Sequence, residues 1–228
     1  TAYEIRPRDW SSDVCSSDLR IIAVANQKGG VAKTTTAINL AASLAIASTR
    51  VLLIDVDPQA NLTSGVGRKG QATDAGTIYE ALTAQTPLSD LHPYILKTEI
   101  ERLDVVPASR HLTGAEVELV TLPRRDERLR QLLGSVRDDY DFVFIDCPPS
   151  LGLLTLNALV AADAVLIPLH GEYFALEGLA ELVGTIRRVR AALNPALDIE
   201  GVLLTMFDDR TNLGQQVARD LRAFFKEK

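Results

Sequence analysis

The chain has 228 residues, of which 46% are hydrophobic and 24% charged, with a formal net charge of −6. That length and apolar content suffice for one substantial core and point to a single α/β domain, while the acidic balance excludes a protein that is basic all over, so any nucleic-acid contact has to come from a local patch. No apolar run approaches the ~20 residues that span a bilayer, and the two cysteines, Cys15 and Cys147, lack metal-ligand spacing, which points to a soluble, reduced, cytoplasmic protein.

The first nineteen residues differ from the rest. Residues 9–19 are polar, unpatterned and hold the only tryptophan, Trp10. They read as the conceptual translation of a sequencing-library adapter, residues 1–5 match the preceding adapter stretch in the same frame, and the variable index falls across 6–8. Residues 1–19 are therefore set apart as a non-native, disordered tail in which neither Trp10 nor Cys15 carries function, and 20–228 is taken as the domain.

From Arg20 the pattern is regular. An apolar strand over 21–25 leads into Asn26-Gln27-Lys28-Gly29-Gly30-Val31-Ala32-Lys33-Thr34-Thr35-Thr36, and a helical pattern follows over 33–47 with Ile38, Ala41, Ala42 and Ala45 available to pack on a sheet. A strand feeding a glycine-containing loop that opens a helix is the arrangement in which backbone N–H groups surround a polyphosphate. Gly29 and Gly30 allow close backbone approach, Lys33 can reach β- and γ-phosphates, and the Thr34 hydroxyl can ligate Mg²⁺. On the generic phosphate-loop pattern the match fails, because Gln27 and Ala32 stand where it has glycine. A negative φ at Ala32 would make the added methyl nearly neutral; a positive φ would cost on the order of 1 kcal/mol or more.

A second strand, over 51–54, has no polar alternation, so both faces are covered, as in a parallel sheet. It ends in Asp55-Val56-Asp57-Pro58-Gln59-Ala60-Asn61, where two carboxylates at i and i+2 can face the crevice that binds ligands in open α/β sheets. A mobile loop is expected over 65–75, a short helix over 77–83, two short strands over 95–100 and 103–106, and a charged helix over 116–134. Its Arg124, Arg125, Arg128 and Arg130 are interleaved with Asp126 and Glu127, which reads as a solvated helix face.

The next strand ends in Phe144-Ile145-Asp146-Cys147-Pro148-Pro149-Ser150, an apolar run closing on a carboxylate that can hold Mg²⁺ through Thr34 or a water. The two prolines stop the strand and stiffen the turn after it; Cys147 reads as a small buried thiol. Beyond lie a helix over 153–161, a strand over 164–168, a long helix reaching 192, a strand over 199–205 and a last helix over 215–226. Arg187, Arg188 and Arg190 have no acid among them, with ordinary solvated arginines as the alternative reading, and Arg219, Arg222 and Lys226 recur at near-helical spacing.

Taken together, residues 26–36 resemble the deviant Walker A motif of the ParA/MinD group of ATPases, with Lys28 as its extra lysine and Ala32 as its one departure. Residues 55–61 resemble the Asp-x-Asp-Pro-Gln-x-Asn of ParA proteins, residues 146–150 their Asp-x-Pro-Pro-Ser, and 172–179 and 206–213 two further ParA segments, the first near the dimer face. The resemblance runs over 21–226 and implies a three-layer α/β fold of P-loop NTPase type, with a mostly parallel twisted sheet and helices on both faces. It implies a Soj/ParA-like partitioning ATPase that binds ATP and Mg²⁺ through residues 28–35, Lys28, Gly29, Gly30, Val31, Ala32, Lys33, Thr34 and Thr35. By the same resemblance Thr34, Asp55 and Asp146 stand around the metal, Asp57 positions the attacking water, and Lys28 and Lys33 complete the catalytic set, with Lys28 reaching the nucleotide of a partner subunit.

The ATP-dependent homodimer would bind DNA without sequence preference through basic residues near the C-terminus, Arg188 and Arg210 first, then Arg187, Arg219 and Arg222. A ParB-like partner would accelerate slow hydrolysis, and the protein would act in the cytoplasm on the nucleoid, with no membrane partner. The family pattern continues past Lys228 into a segment that contacts adenine, so the domain reads as C-terminally truncated. Two other readings remain: a MinD-like membrane-associated switch, and a nucleotide-binding fragment without turnover.

Overall fold

The structure, a computed structural model, describes residues 3–5, 19–171, 175–208, 210 and 212–226. Trp10, Cys15, the first residues of the ParA-like segment expected at 172–179, and Asp209 and Thr211 of the one at 206–213 lie outside the described residues.

The described strands form one sheet. In chain order they are β1 (Tyr3–Ile5), β2 (Arg20–Val24), β3 (Val51–Asp55), β4 (Leu96–Lys97), β5 (Leu103–Val106), β6 (Phe142–Asp146), β7 (Ala164–His170) and β8 (Asp198–Thr205), and in space they run β1-β8-β7-β2-β6-β3-β5-β4. The six inner strands are parallel, and the antiparallel pairs sit at the two edges, β1 on β8 and β4 on β5. The mostly parallel sheet expected from uninterrupted apolar strands is therefore present, and every residue of β3 is buried.

Side chains of the inner strands alternate between two cores. Ile21, Ala23, Leu52, Ile54, Val143 and Ile145 face one, and Ile22, Val24, Val51, Leu53 and Phe144 face the other. The second core is closed by α1 (Lys33–Ile46) and α2 (Asn61–Gly65), with Ala37, Ala41 and Ala45 buried and Ile38 and Ala42 packed at the margin. The first is closed by α3 (Ile78–Thr83), α4 (Leu112–Glu118), α5 (Arg128–Leu133), α6 (Leu153–Ala161), α7 (Ala175–Ala192) and α8 (Asn212–Lys226). Helices thus cover both faces, giving three layers.

Two expectations need correcting, and one stretch outside the expected domain pairs with the sheet. Residues 3–5, set apart with the tail, form β1 in register with β8, Tyr3 opposite Leu204 and Ile5 opposite Val202. Without them β8 would be an open edge, whose unpaired N–H and C=O groups accept an extended segment of almost any sequence. The single helix expected over 116–134 is instead two helices, α4 and α5, separated by residues 119–127. Pro123 lacks the N–H that a continuous helix needs and holds Leu122 extended, and Arg124 turns the chain at φ 52. Finally, Arg128 is not on a solvated face: it is 1% exposed, and its guanidinium donates to the carbonyls of Leu82, Ala84 and Pro123. The spent C-terminal carbonyls of α3 need donors, and Arg128 supplies them from the next helix pair.

Candidate functional site

The carboxyl ends of β2, β6 and β3 lie side by side, because β2 pairs with β6 and β6 with β3. Val24 and Asp55 both stand opposite Asp146 in register, so the phosphate loop after β2 and both acidic strand tips share one edge of the sheet. Strand order reverses at β2, whose neighbours β6 and β7 lead away in opposite directions, and such a switch point is where open α/β sheets leave a crevice.

The loop over 26–32 is anchored at both ends and open in the middle. Asn26 donates its amide to the Pro168 carbonyl at 2.7 Å and accepts the Lys28 N–H at 3.0 Å, while Thr205 at the end of β8 donates its hydroxyl to the Val31 carbonyl at 3.1 Å. Val31 is buried and pins the loop to the core. Between these anchors Gly29 and Gly30 are exposed, and a Cβ placed on either would meet nothing within 4 Å. Gly30 has φ 74 and Ala32 has φ 64, ψ 33, two left-handed residues just before α1 begins, a conformation of the kind that builds anion-binding concavities from backbone N–H groups. Ala32 therefore stands in the costly of the two conformations considered, with strain of about 1–2 kcal/mol.

Lys33 is 7% exposed, and its ammonium donates to the Lys28 carbonyl at 3.1 Å, folding back across the loop. Burial lowers its pKa, against the opposing pull of Asp146 and Asp57. The Thr34 hydroxyl donates to Asp146 Oδ2 at 2.7 Å. Asp146 is fully buried; desolvation pushes its carboxyl up to about 7, opposed by the Thr34 hydroxyl and Lys33 and reinforced by Asp55 and Asp57. Its second oxygen, Oδ1, is buried without a hydrogen-bond partner, as is Gln27 Nε2 in the loop. A hydroxyl beside a carboxylate with one orphaned oxygen is a donor set that suits a hard cation completed by phosphate oxygens and water, so the residues present fit magnesium.

Asp55, expected beside the metal, has both carboxylate oxygens engaged by its own chain. Oδ2 accepts the N–H and the hydroxyl of Thr63 at 2.9 and 2.7 Å, and Oδ1 accepts the Asp57 N–H at 3.1 Å. Burial raises its carboxyl to about 6 against those hydrogen bonds. Asp57 is 8% exposed and accepts the Gln59 N–H at 2.9 Å through Oδ1. Lys28 and Thr35 are exposed at the mouth of the loop. Cys147 is buried, its thiol directed at the Ile145 carbonyl and its pKa raised by burial, as expected of a packing residue.

The arginines considered for DNA lie on α7, on α8 and in the turn between β8 and α8. Arg210 follows β8 at the nucleotide edge and is held in a fork by Asp208, at 2.9 and 2.8 Å. Arg187 and Arg188 are exposed near the far end of α7, where Arg190 lies 3.6 Å from Asp198 at the start of β8. Arg219 and Arg222 are exposed along α8. Three residues that position the site went unremarked in sequence: Asn26, Thr63 and Thr205. Asn26 opens the motif itself, but nothing in the local pattern marks the two threonines, since each acts on a segment distant in the chain.

Comparison with known proteins agrees with this geometry. The sequence profile of a family described as an AAA domain matches residues 19–199. The chain is 59% identical over 209 residues to the chromosome partitioning protein ParA of Myxococcus xanthus, covering 91% of this chain and 72% of that protein. It is 52% identical over 209 residues to the sporulation initiation inhibitor protein Soj of Bacillus subtilis, covering 92% and 81%. Among solved structures, cobyrinic acid a,c-diamide synthase of Mycobacterium smegmatis, with bound ADP and magnesium, superposes with a TM-score of 0.83 at 38% identity, covering 90% of this chain and 82% of that one. The phosphate loop, the acidic strand tips and these likenesses over most of the chain lead to one conclusion: the protein belongs to the ParA/Soj family of chromosome-partitioning ATPases.

Proposed function

We propose that the chain binds ATP with Mg²⁺ in the crevice between residues 28–35 and the tips of β3 and β6, and hydrolyses it as a face-to-face homodimer that carries DNA. The observation that carries the reading is the Thr34–Asp146 hydrogen bond at 2.7 Å beside the orphaned Asp146 Oδ1. Thr34 and Asp146 would hold the metal; magnesium, when bound, neutralises charge on the β- and γ-phosphate oxygens.

The remaining chemistry belongs to the chain's own groups. The N–H groups of the loop and the first turn of α1 bind phosphate oxygens. Lys33 leaves the Lys28 carbonyl for the β- and γ-phosphates, which replace a neutral acceptor by an anionic one. Asp57 orients the attacking water through its carboxylate. Lys28, exposed at the loop's mouth, reaches the nucleotide of the second subunit. A γ-phosphate offers several charge-assisted hydrogen bonds of about 1.5–3 kcal/mol each, so its loss shifts dimerisation by orders of magnitude.

DNA binding is assigned to Arg187, Arg188, Arg219 and Arg222, with Arg210 available once released from Asp208. Dimerisation doubles the number of neutralised phosphates, which makes DNA affinity steeply dependent on both ATP and salt. A ParB-like partner accelerates turnover, and the dimer resides on the nucleoid. Among the described residues no helix is long and apolar enough to cross a membrane.

The test is phosphate release from the purified chain beside Lys33→Ala and Asp57→Ala, with plasmid and liposome co-sedimentation in ATP. Loss of turnover in both variants and ATP-dependent pelleting with plasmid are expected. Equal phosphate release from all three proteins would remove the ATPase assignment of these residues, and pelleting with liposomes alone would favour a membrane switch.

A further inference from the structure

Thr63 belongs to none of the recognised motifs, yet it sits at the junction of the two strands that flank the site on its acidic side. It is 1% exposed, in the first turn of α2. Its hydroxyl has one proton to give and lone pairs to receive, and both capacities are used: the proton goes to Asp55 Oδ2 at 2.7 Å, and the Ala108 N–H donates to the oxygen at 2.9 Å. Its own N–H goes to the same Asp55 oxygen at 2.9 Å. Ala108 follows β5, the neighbour of β3, so one hydroxyl ties the ends of both strands together.

The consequence passes through Asp55 to Asp57. With Oδ2 saturated by two donors from Thr63, Asp55 presents Oδ1 to the Asp57 N–H at 3.1 Å, which sets the backbone from which the Asp57 carboxylate projects. If Asp55 swung toward Asp146, its neighbour in register on β6, it would leave the Thr63 hydroxyl and N–H unpaired in a buried place and bring two buried carboxylates together.

We propose that Thr63 is a positioning residue for ATP hydrolysis, acting through its bridge from Ala108 to Asp55 to fix Asp57. This rests on the reading of Asp57 as the water-orienting group. Thr63 touches neither nucleotide nor metal, so its removal lowers turnover and leaves nucleotide affinity in place. Partners at one remove from a reacting centre are worth about 10–100-fold in activity when lost.

The experiment compares Thr63→Ser, Thr63→Cys and Thr63→Val with the parent in steady-state phosphate release over a range of Mg·ATP concentrations. Serine keeps the donor and acceptor, cysteine offers a weak donor, and valine keeps the shape with neither. The expected order of kcat is parent, then serine within about threefold, then cysteine, then valine down about 10–100-fold, with KM changed less than about threefold throughout. Valine or cysteine at the parent's kcat overturns the proposal. A rise in KM at constant kcat also overturns it, as does serine as impaired as valine, which would mark a packing role. Should valine leave the chain unfolded by circular dichroism, the serine and cysteine proteins decide by the same ordering. Asp57→Ala in the same series separates the two readings. If it turns over normally, the role of Asp57 fails; if it is dead while Thr63→Val is unimpaired, only the role of Thr63 fails.

Discussion

Ala32 carries the clearest conflict between a residue and its conformation. The backbone at φ 64 is left-handed, and a Cβ in that region costs about 1–2 kcal/mol. The strain persists because Val31 and Thr36 hold the loop from both sides, Val31 through burial and Thr36 through its N–H to the Ala32 carbonyl at 2.9 Å. Ala32→Gly relieves the strain while loosening the unfolded chain by about 0.4–1 kcal/mol. The net expectation is a gain of about 0.5–1 kcal/mol, read as a higher urea midpoint at unchanged slope; a lower midpoint would mean that the alanine is unstrained. Arg128 shows the opposite case, a charged residue whose sequence neighbours suggest solvent and whose real partners are three backbone carbonyls. A run of alternating arginines and acids reports average polarity, and it cannot report which member turns inward to serve the end of another helix.

At the scale of the element, α6 depends on a contact from α4. Glu116 sends its carboxylate to the first N–H groups of α6, at 3.3 Å to Leu153 and 3.5 Å to Leu154, and lies so close to Gly152 that a Cβ there would meet its Oε2 at 2.1 Å. Gly152 has φ −81, ψ −167, a conformation open to any residue, so glycine is needed for the approach of Glu116 rather than for the backbone. The turn over 147–152 that follows Asp146 is thereby fixed at its far end by an acid near a helix N-terminus. Gly152→Ala pushes Glu116 aside and is expected to cost about 1 kcal/mol in thermal or urea unfolding, the worth of a cap. Glu116→Gln in the same background should then add almost nothing, because the contact is already lost. Strong local signals fared well at this scale: α3, α6, β5 and β6 lie where apolar runs and Asp or Pro boundaries put them. The one long helix expected over 116–134 failed because Pro123 was outweighed by the helical spacing around it.

For the whole molecule, binding energy at the crevice should appear as folding stability, because an unfolded chain cannot assemble the loop and the strand tips. At 100 times Kd, Mg·ATP is expected to stabilise the protein by about 2.7 kcal/mol, read as a rise in Tm that chelation of magnesium reduces and Lys33→Ala abolishes. A shift that survives in Lys33→Ala would place the nucleotide elsewhere. The amino-acid sequence by itself determined the family and the parallel α/β architecture and made candidate phosphate-binding residues legible, because a phosphate loop is local: its glycines, lysine and threonine are contiguous. The acidic strand tips were also legible, since a buried apolar run that ends in aspartate aims that aspartate at the sheet's edge. Only the tertiary structure decided which oxygens of those aspartates are engaged, that Thr63 of α2 and Thr205 of β8 steady the site, that Ala32 is left-handed, and that Arg210 is held by Asp208. The bridges from Thr63 to Ala108 and from Thr205 to Val31 depend on contacts between segments far apart in the chain, and no local pattern encodes which distant groups the folded strands bring within hydrogen-bonding reach.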